Sequence, residues 1–256
     1  MALRTRDELY RRAARCYEQS GMRTAAIECW EAISRAGGAA RAAALYQELG
    51  RTLEAANSYR LAERWRDAAR CYLAVNQAGQ AAECVERSGE HLEAAWLFAH
   101  RVGSPAHARR LLAAVELGSE GERLCAELIQ ARCEAATASE RPRASRRVRD
   151  VARALDEISV TQLERIEAWG VCVARQLGRP DLIALIYAAG VRARSSGAGE
   201  RWRAWALAEL GDGTGIPLHV DVAPPRRPGR TVQMKEQETI GDRTQAPGLP
   251  DPAHST

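Results

Sequence analysis

The chain has 256 residues, 46% hydrophobic but only 5% aromatic, so its core must rest largely on Ala, Leu, Val and Ile. Its 37 basic and 33 acidic residues nearly cancel to a formal charge of +4, which argues against a uniformly basic nucleic-acid-binding surface. No window approaches 18 consecutive apolar residues, which excludes a membrane-spanning helix, and the opening MALRTRDELYRRAARCY has no apolar run suited to a signal peptide.

Seven segments then fall into step. They begin at Ala13, Ala26, Ala42, Ala55, Ala68, Ala81 and Ala94, every step being 13 residues except the 16 from Ala26 to Ala42. A fixed period of this kind predicts a stack of similar small units and not one core around a catalytic cleft. Within a unit the apolar positions step by four and three, as in Ala55, Tyr59 and Ala62 or Ala68, Tyr72 and Val75, so each unit predicts an amphipathic helix of about nine or ten residues and a turn of three or four. Abundant Ala favours helix and close helix approach. Gly21, Gly50 and Gly89 share one place, eight residues after the first Ala, where a left-handed residue would close each helix. The three extra residues near Gly37 and Gly38 predict a longer loop or an extended helix.

Two 13-residue helices make an antiparallel hairpin, and hairpins stacked on one another give an all-α, right-handed α-solenoid over 8–135. The phrase AAxxYxxxGxxxxAA resembles tetratricopeptide-like helical repeats, and more closely the short hairpins of soluble NSF-attachment-like proteins and the helical tails of transport-coat and ciliary-transport subunits. The resemblance covers 10–112. It departs from the ordinary tetratricopeptide pattern in its hairpin, two 13-residue units long where that repeat has about 34 residues, and in lacking the regular Pro. It implies a fold and an adaptor role, within an ATPase-associated assembly in its narrower form; it carries over no functional residue, because the shared positions are structural.

Beyond the regular units, His107 to Val115 predicts one more helix, and Ser119 three residues before Glu122 marks the capped start of a helix from about Glu120 to Ala135. The polar stretch Ala136 to Ser145, with Pro142, reads as a loop between two halves. A helical continuation or cap over 146–212 follows. Its helices are Arg149 to Ile158, one capped by Thr161 and Glu164 with the stripe Leu163, Ile166, Gly170, Val173 and Leu177, a buried one from Asp181 to Val191, and Arg201 to Leu210. Trp202 and Trp205 lie on one face of the last, sealing a core or the end of the stack. Leu218 to Val222 reads as a short extended piece. The Pro- and Gly-rich segment 224–256 has too little to bury and is expected to be a disordered tail.

The chain contains none of the phosphate-loop, dinucleotide, zinc-protease or serine-hydrolase motifs. His91 falls in a turn, His100 and His107 are placed facing solvent, and none has a metal-binding neighbour at a convincing spacing. Glu18, Glu31, Glu48, Glu54 and Glu93 are spread over the helices as polar faces. The seven Cys include four, Cys16, Cys29, Cys71 and Cys84, at a place that elsewhere holds Leu45, Ser58 or Leu97. They read as buried free thiols, which implies a reducing, cytoplasmic setting. No catalytic residue, cofactor or metal is expected.

The expected function is a non-catalytic scaffold or adaptor that binds a protein or peptide partner. Arg15, Glu28, Asn57, Arg70, Glu83 and Trp96 share one variable place, two residues after the first Ala, and are the candidate partner-binding face. The alternative is a nucleic-acid-binding helical-repeat protein using Arg141, Arg143, Arg146, Arg147 and Arg149, against which the interspersed Glu18, Glu48, Glu83 and Glu86 argue.

Overall fold

A computed structural model of the chain describes residues 2–33, 36–155, 160–193 and 197–211, together with Ser195, Gly213 and Gly215. These form thirteen α-helices, with no strand among the described residues. The segment 224–256 and the extended piece expected over 218–222 lie outside them.

The 13-residue period is a helix period. α1 is Ala2–Gln19, α2 Arg23–Glu31, α3 Ala36–Glu48, α4 Thr52–Leu61, α5 Trp65–Ala74, α6 Ala78–Arg87 and α7 His91–Leu97. α4, α5 and α6 each hold 10 residues, whereas α3 holds 13, so the extra residues of the long step are taken up as helix. Ten residues are marginal as an isolated helix, and these are stabilised by packing. Each of α1 to α7 packs on its chain neighbours. The paired alanines at the start of the units, among them Ala55, Ala68, Ala81 and Ala94, are fully buried there.

The turns share one geometry. Gly21, Gly50 and Gly89 have φ of +73°, +72° and +84°, and at the same place Glu63 (+57°) and Asn76 (+59°) adopt the same left-handed conformation. In each case the following N–H donates back to the carbonyl of the large residue four after the first Ala. The bonds run from Met22 to Tyr17, Arg51 to Tyr46, Arg64 to Tyr59, Gln77 to Tyr72 and Glu90 to Val85 at 2.8, 2.8, 2.9, 2.8 and 3.3 Å. This is the six-to-one bond that closes helix C-termini. After α7 the chain inserts a π turn, Phe98–Val102, which adds one residue. The left-handed residue accordingly moves one place, to Gly103, and Ser104 N–H reaches the Phe98 carbonyl at 2.8 Å.

α8 (Pro105–Ala114) and α9 (Glu120–Glu134) follow. Ser119 and Glu122 form the expected reciprocal cap, Ser119 Oγ accepting from Glu122 N–H at 3.2 Å and Glu122 Oε2 from Ser119 N–H at 3.1 Å. The loop expected over Ala136 to Ser145 is mostly helix. α10 runs Arg141–Ala154, eight residues ahead of its expected start at Arg149, because Pro142 sits in the first turn, where a missing N–H costs nothing. α11 (Val160–Leu177) buries Leu163, Ile166 and Val173 as expected; Thr161 falls inside it, not ahead of it, and its side chain lies outside the described residues. α12 (Pro180–Arg192) is buried without a break from Leu182 to Gly190, packed against α10, α11 and α13 (Ala198–Leu210). Trp202 and Trp205 are buried at a centroid distance of 5.1 Å.

Two substitutions test this account by denaturant unfolding. Glu63→Gly is expected to stabilise by about 0.5–1 kcal/mol, since a side chain is strained at φ +57°. Gly38→Ala is expected to destabilise by roughly 1–3 kcal/mol, because a Cβ there would lie 1.9 Å from the Trp30 carbonyl oxygen, where α3 crosses α2.

Candidate functional site

Rings at this place also join the helices. Trp30 Nε1 donates to Glu18 at 2.6 Å, Tyr46 Oη to Glu31 at 2.8 Å and Tyr59 Oη to Gln47 at 2.7 Å. Ring and acceptor hold fixed places, four and five after the first Ala, one unit apart. Tyr72 Oη instead donates to Asn57 Oδ1 at 2.7 Å. Burial raises these phenols first, and with the Glu31 bond it pushes Tyr46 up to about 12. Arg41, two units on, also grips Glu18; its guanidinium, opposed by burial and helped by Trp30, holds that carboxyl below the usual range.

These bonds sort the candidate partner-binding residues. Arg15, Glu28, Arg70 and Glu83 are exposed. Asn57 is exposed but accepts the Tyr72 hydroxyl. Trp96 departs from the set: it is buried, 5% exposed, and stacks on Trp169 of α11 at 4.5 Å and on His100 at 5.0 Å. The reason is local. At the seventh unit α11 covers a place that faces solvent in the earlier ones. A lone Trp where the other units carry Arg, Glu, Asn or, once, Ala44 was the signal for that cover.

Trp169 of that stack also lines a groove of about 760 Å³. The first turn of α7 (His91, Leu92, Glu93) forms one wall with Gly89 and Glu90, the segment Ala114–Glu116 with Glu122 another, and Arg165 and Trp169 of α11 the third. Four carboxylates therefore face one guanidinium. Glu122 is engaged in the α9 cap, accepting from Gly118 N–H at 2.8 Å as well as Ser119, and Glu90 pairs with Arg66. Glu93 lies 4.0 Å from Arg165; burial raises its carboxyl, Arg165 opposing and Glu90 adding to the rise.

The histidines expected to face solvent do not do so freely. His100 is half-buried, and Arg132 Nε donates to its Nδ1 at 3.4 Å; burial first, then Arg132 and Arg101, lower its pKa. His107 stacks on Phe98 at 3.8 Å with Nε2 3.2 Å from Glu86. The arginine cluster lies on α10, where Arg147 bonds Glu127 and the buried Glu134 and Arg143 lies 3.4 Å from Glu134. All seven cysteines are free; Cys71, Cys84, Cys125 and Cys133 are buried, whereas Cys29 is half-buried and Cys16, expected inside, is exposed. Among the described residues no His, Cys, Asp and Glu group is placed to hold a metal, and no helix is long and apolar enough to cross a membrane.

Glu93 sets a pH test. Its carboxyl is raised in the folded chain, so the folded state holds the proton more tightly and the charged form carries a cost at neutral pH. Glu93→Gln is expected to raise the unfolding temperature at pH 7, and the gain should fade on acidification and vanish below the ordinary carboxyl value of 4.5. Thermal unfolding from pH 7 to 4 reads both.

The chain matches no protein-family model, no curated protein and no solved structure.

Proposed function

We propose that the chain is a non-catalytic scaffold, a right-handed α-solenoid of short antiparallel hairpins that binds a protein partner. The observation that carries this reading is how the units use their side chains. Alanines, rings and ring acceptors are turned onto the neighbouring helix. What is left outward is a varied set, Arg15, Glu28, Arg70 and Glu83, on α1, α2, α5 and α6. A surface of that kind is extended and adaptable, which suits a polypeptide better than a small substrate. The groove over Trp169 is the concave part of it, and its excess of carboxylates suits a basic segment of the partner. A place in an ATPase-associated assembly is the narrower form of this reading, suggested by the sequence resemblance.

Affinity capture with the whole chain, followed by variants, tests the reading. A Glu90→Lys/Glu116→Lys pair is expected to weaken retention of the captured partner at least tenfold while the circular-dichroism spectrum is unchanged. The reversal Arg15→Glu/Arg70→Glu reads the outward row in the same way. Retention indifferent to both pairs would sink the proposal. Salt-sensitive binding of DNA or RNA that is lost on replacing Arg141, Arg146 and Arg149 would put the nucleic-acid reading in its place.

A further inference from the structure

We infer that the hollow between the ends of α4 and α6 and the start of α5 is a second binding site, which takes a partner polypeptide by one carboxylate and the large apolar side chain next to it. Two breaks in the chain's own pattern meet there. The residue five after the first Ala is elsewhere the acceptor for the ring of the next helix: Glu18 for Trp30, Glu31 for Tyr46 and Gln47 for Tyr59. In α4 that place holds Arg60, a side chain with no acceptor, and Tyr72 turns to Asn57 instead. The attachment is thus kept, three residues earlier, and Arg60 takes no part in it. The second break is Trp65, which opens α5 where α4 and α6 open on Thr52 and Ala78. Trp65 is only half-buried, unlike Trp96, which α11 covers.

Arg60 and Trp65 line one hollow of about 240 Å³, together with Leu61, Glu83, Cys84 and Arg87. The arginines around it divide into two kinds. Arg64 and Arg70 pair with Asp67, and Arg66 pairs with Glu90. The side chains of Arg60 and Arg87, the two that line the hollow, have no hydrogen-bond or ion-pair partner among the described residues. Glu83 stands four residues before Arg87, the spacing of a helical ion pair, yet Arg87 lies over the Trp65 ring instead, at 5.1 Å. Leu61, beside them, is 66% exposed.

These groups fix the chemistry of the occupant. Two guanidiniums against the single Glu83 carboxylate leave one positive charge to be matched. One carboxylate matches it and accepts N–H bonds from Arg60 and Arg87, and a Leu or Phe next to it in the partner covers Leu61 and Trp65. A nucleic-acid strand, charged at every phosphate, is a poorer occupant, because Glu63 and Asp67 line the far side of Trp65. The site goes beyond the groove over Trp169, whose carboxylates suit a segment of the opposite charge.

The probe is an end-capped peptide, Gly-Ser-Glu-Phe-Ser-Gly, titrated into the isotope-labelled full chain. The readout is the nuclear magnetic resonance signal of the Trp65 indole N–H, assigned by its loss in Trp65→Phe. A saturable shift of that signal is expected. A peptide with Gln for Glu should bind roughly threefold to tenfold more weakly, the worth of one partly exposed charged hydrogen bond, and Arg87→Gln should weaken the Glu peptide as much. Arg60→Gln separates binding from folding. It should weaken the peptide to the same extent yet keep or raise the unfolding temperature, because Gln offers Tyr72 the acceptor that Gln47 gives Tyr59. The acidic peptide is repelled by the carboxylates of the groove, so its failure here leaves the reading of the groove standing. No saturable shift, equal affinity for the Glu and Gln peptides, or an Arg60→Gln chain that binds normally or unfolds at a lower temperature overturns the inference. So does a short oligothymidylate that moves the same signal at lower concentration than the peptide, since the occupant would then be a nucleic acid. Sedimentation showing a stable dimer that Leu61→Glu dissolves overturns it in favour of a second copy.

Discussion

Everything regular in this molecule depends on one double use of a large side chain. In most of the first six units the residue four after the opening alanine is aromatic, and its main-chain carbonyl accepts the bond that ends its own helix. Its ring reaches into the previous helix and, at Trp30, Tyr46, Tyr59 and Tyr72, donates a hydrogen bond there. Local closure and lateral attachment are thus fixed at the same residue. Helices of ten residues need both, because a loose end on so short a helix frays a large part of it. Arg51 over Tyr46 and Arg64 over Tyr59, at 4.9 and 5.2 Å, add a cation above two of the rings from the following turn.

The seventh unit shows what happens when the pattern changes. Phe98 has no polar tip to offer a neighbour, and from it the helix widens into a π turn and gains a residue. The left-handed turn survives, moved to Gly103. Beyond that point attachment passes to larger surfaces: the His100–Trp96–Trp169 stack, the Glu134 ion pairs of α10 and the buried length of α12. Arg147 illustrates the price of a charged interior. The buried Glu134 is tolerable because a guanidinium and its neighbour Arg143 are placed on it.

Much of this was legible in residue spacing. Ala pairs, the ring and Gly21, Gly50 or Gly89 define helix and turn by local chemistry, and the all-α class follows from their period. The Ser119–Glu122 cap was readable for the same reason. Glu63 and Asn76 were not, because nothing in their side chains demands a left-handed backbone; the bonds to Tyr59 and Tyr72 impose it. Pro142 was read as a break when its position in a first turn made it a start. Trp96 and His100 were misplaced on the surface because what covers them, Trp169 of α11 over Trp96 and Arg132 of α9 beside His100, lies some 70 and some 30 residues away in sequence, and a 13-residue period says nothing about it. The groove was invisible for that reason too, its walls coming from four separate segments.

The graded burial of the cysteines makes the molecule its own chemical ruler. The thiolate is the form that reacts with an alkylating reagent. Burial raises the thiols of Cys71 and Cys84 and pushes Cys125 up to about 11. Those three can be modified only through local opening, whereas Cys16 meets reagent directly. The order and rates of alkylation along the chain therefore convert into opening free energies for the helices that carry them. Four of these native residues, on α1, α2, α5 and α6, report whether the row unzips from one end or melts as a single cooperative body, with no label introduced.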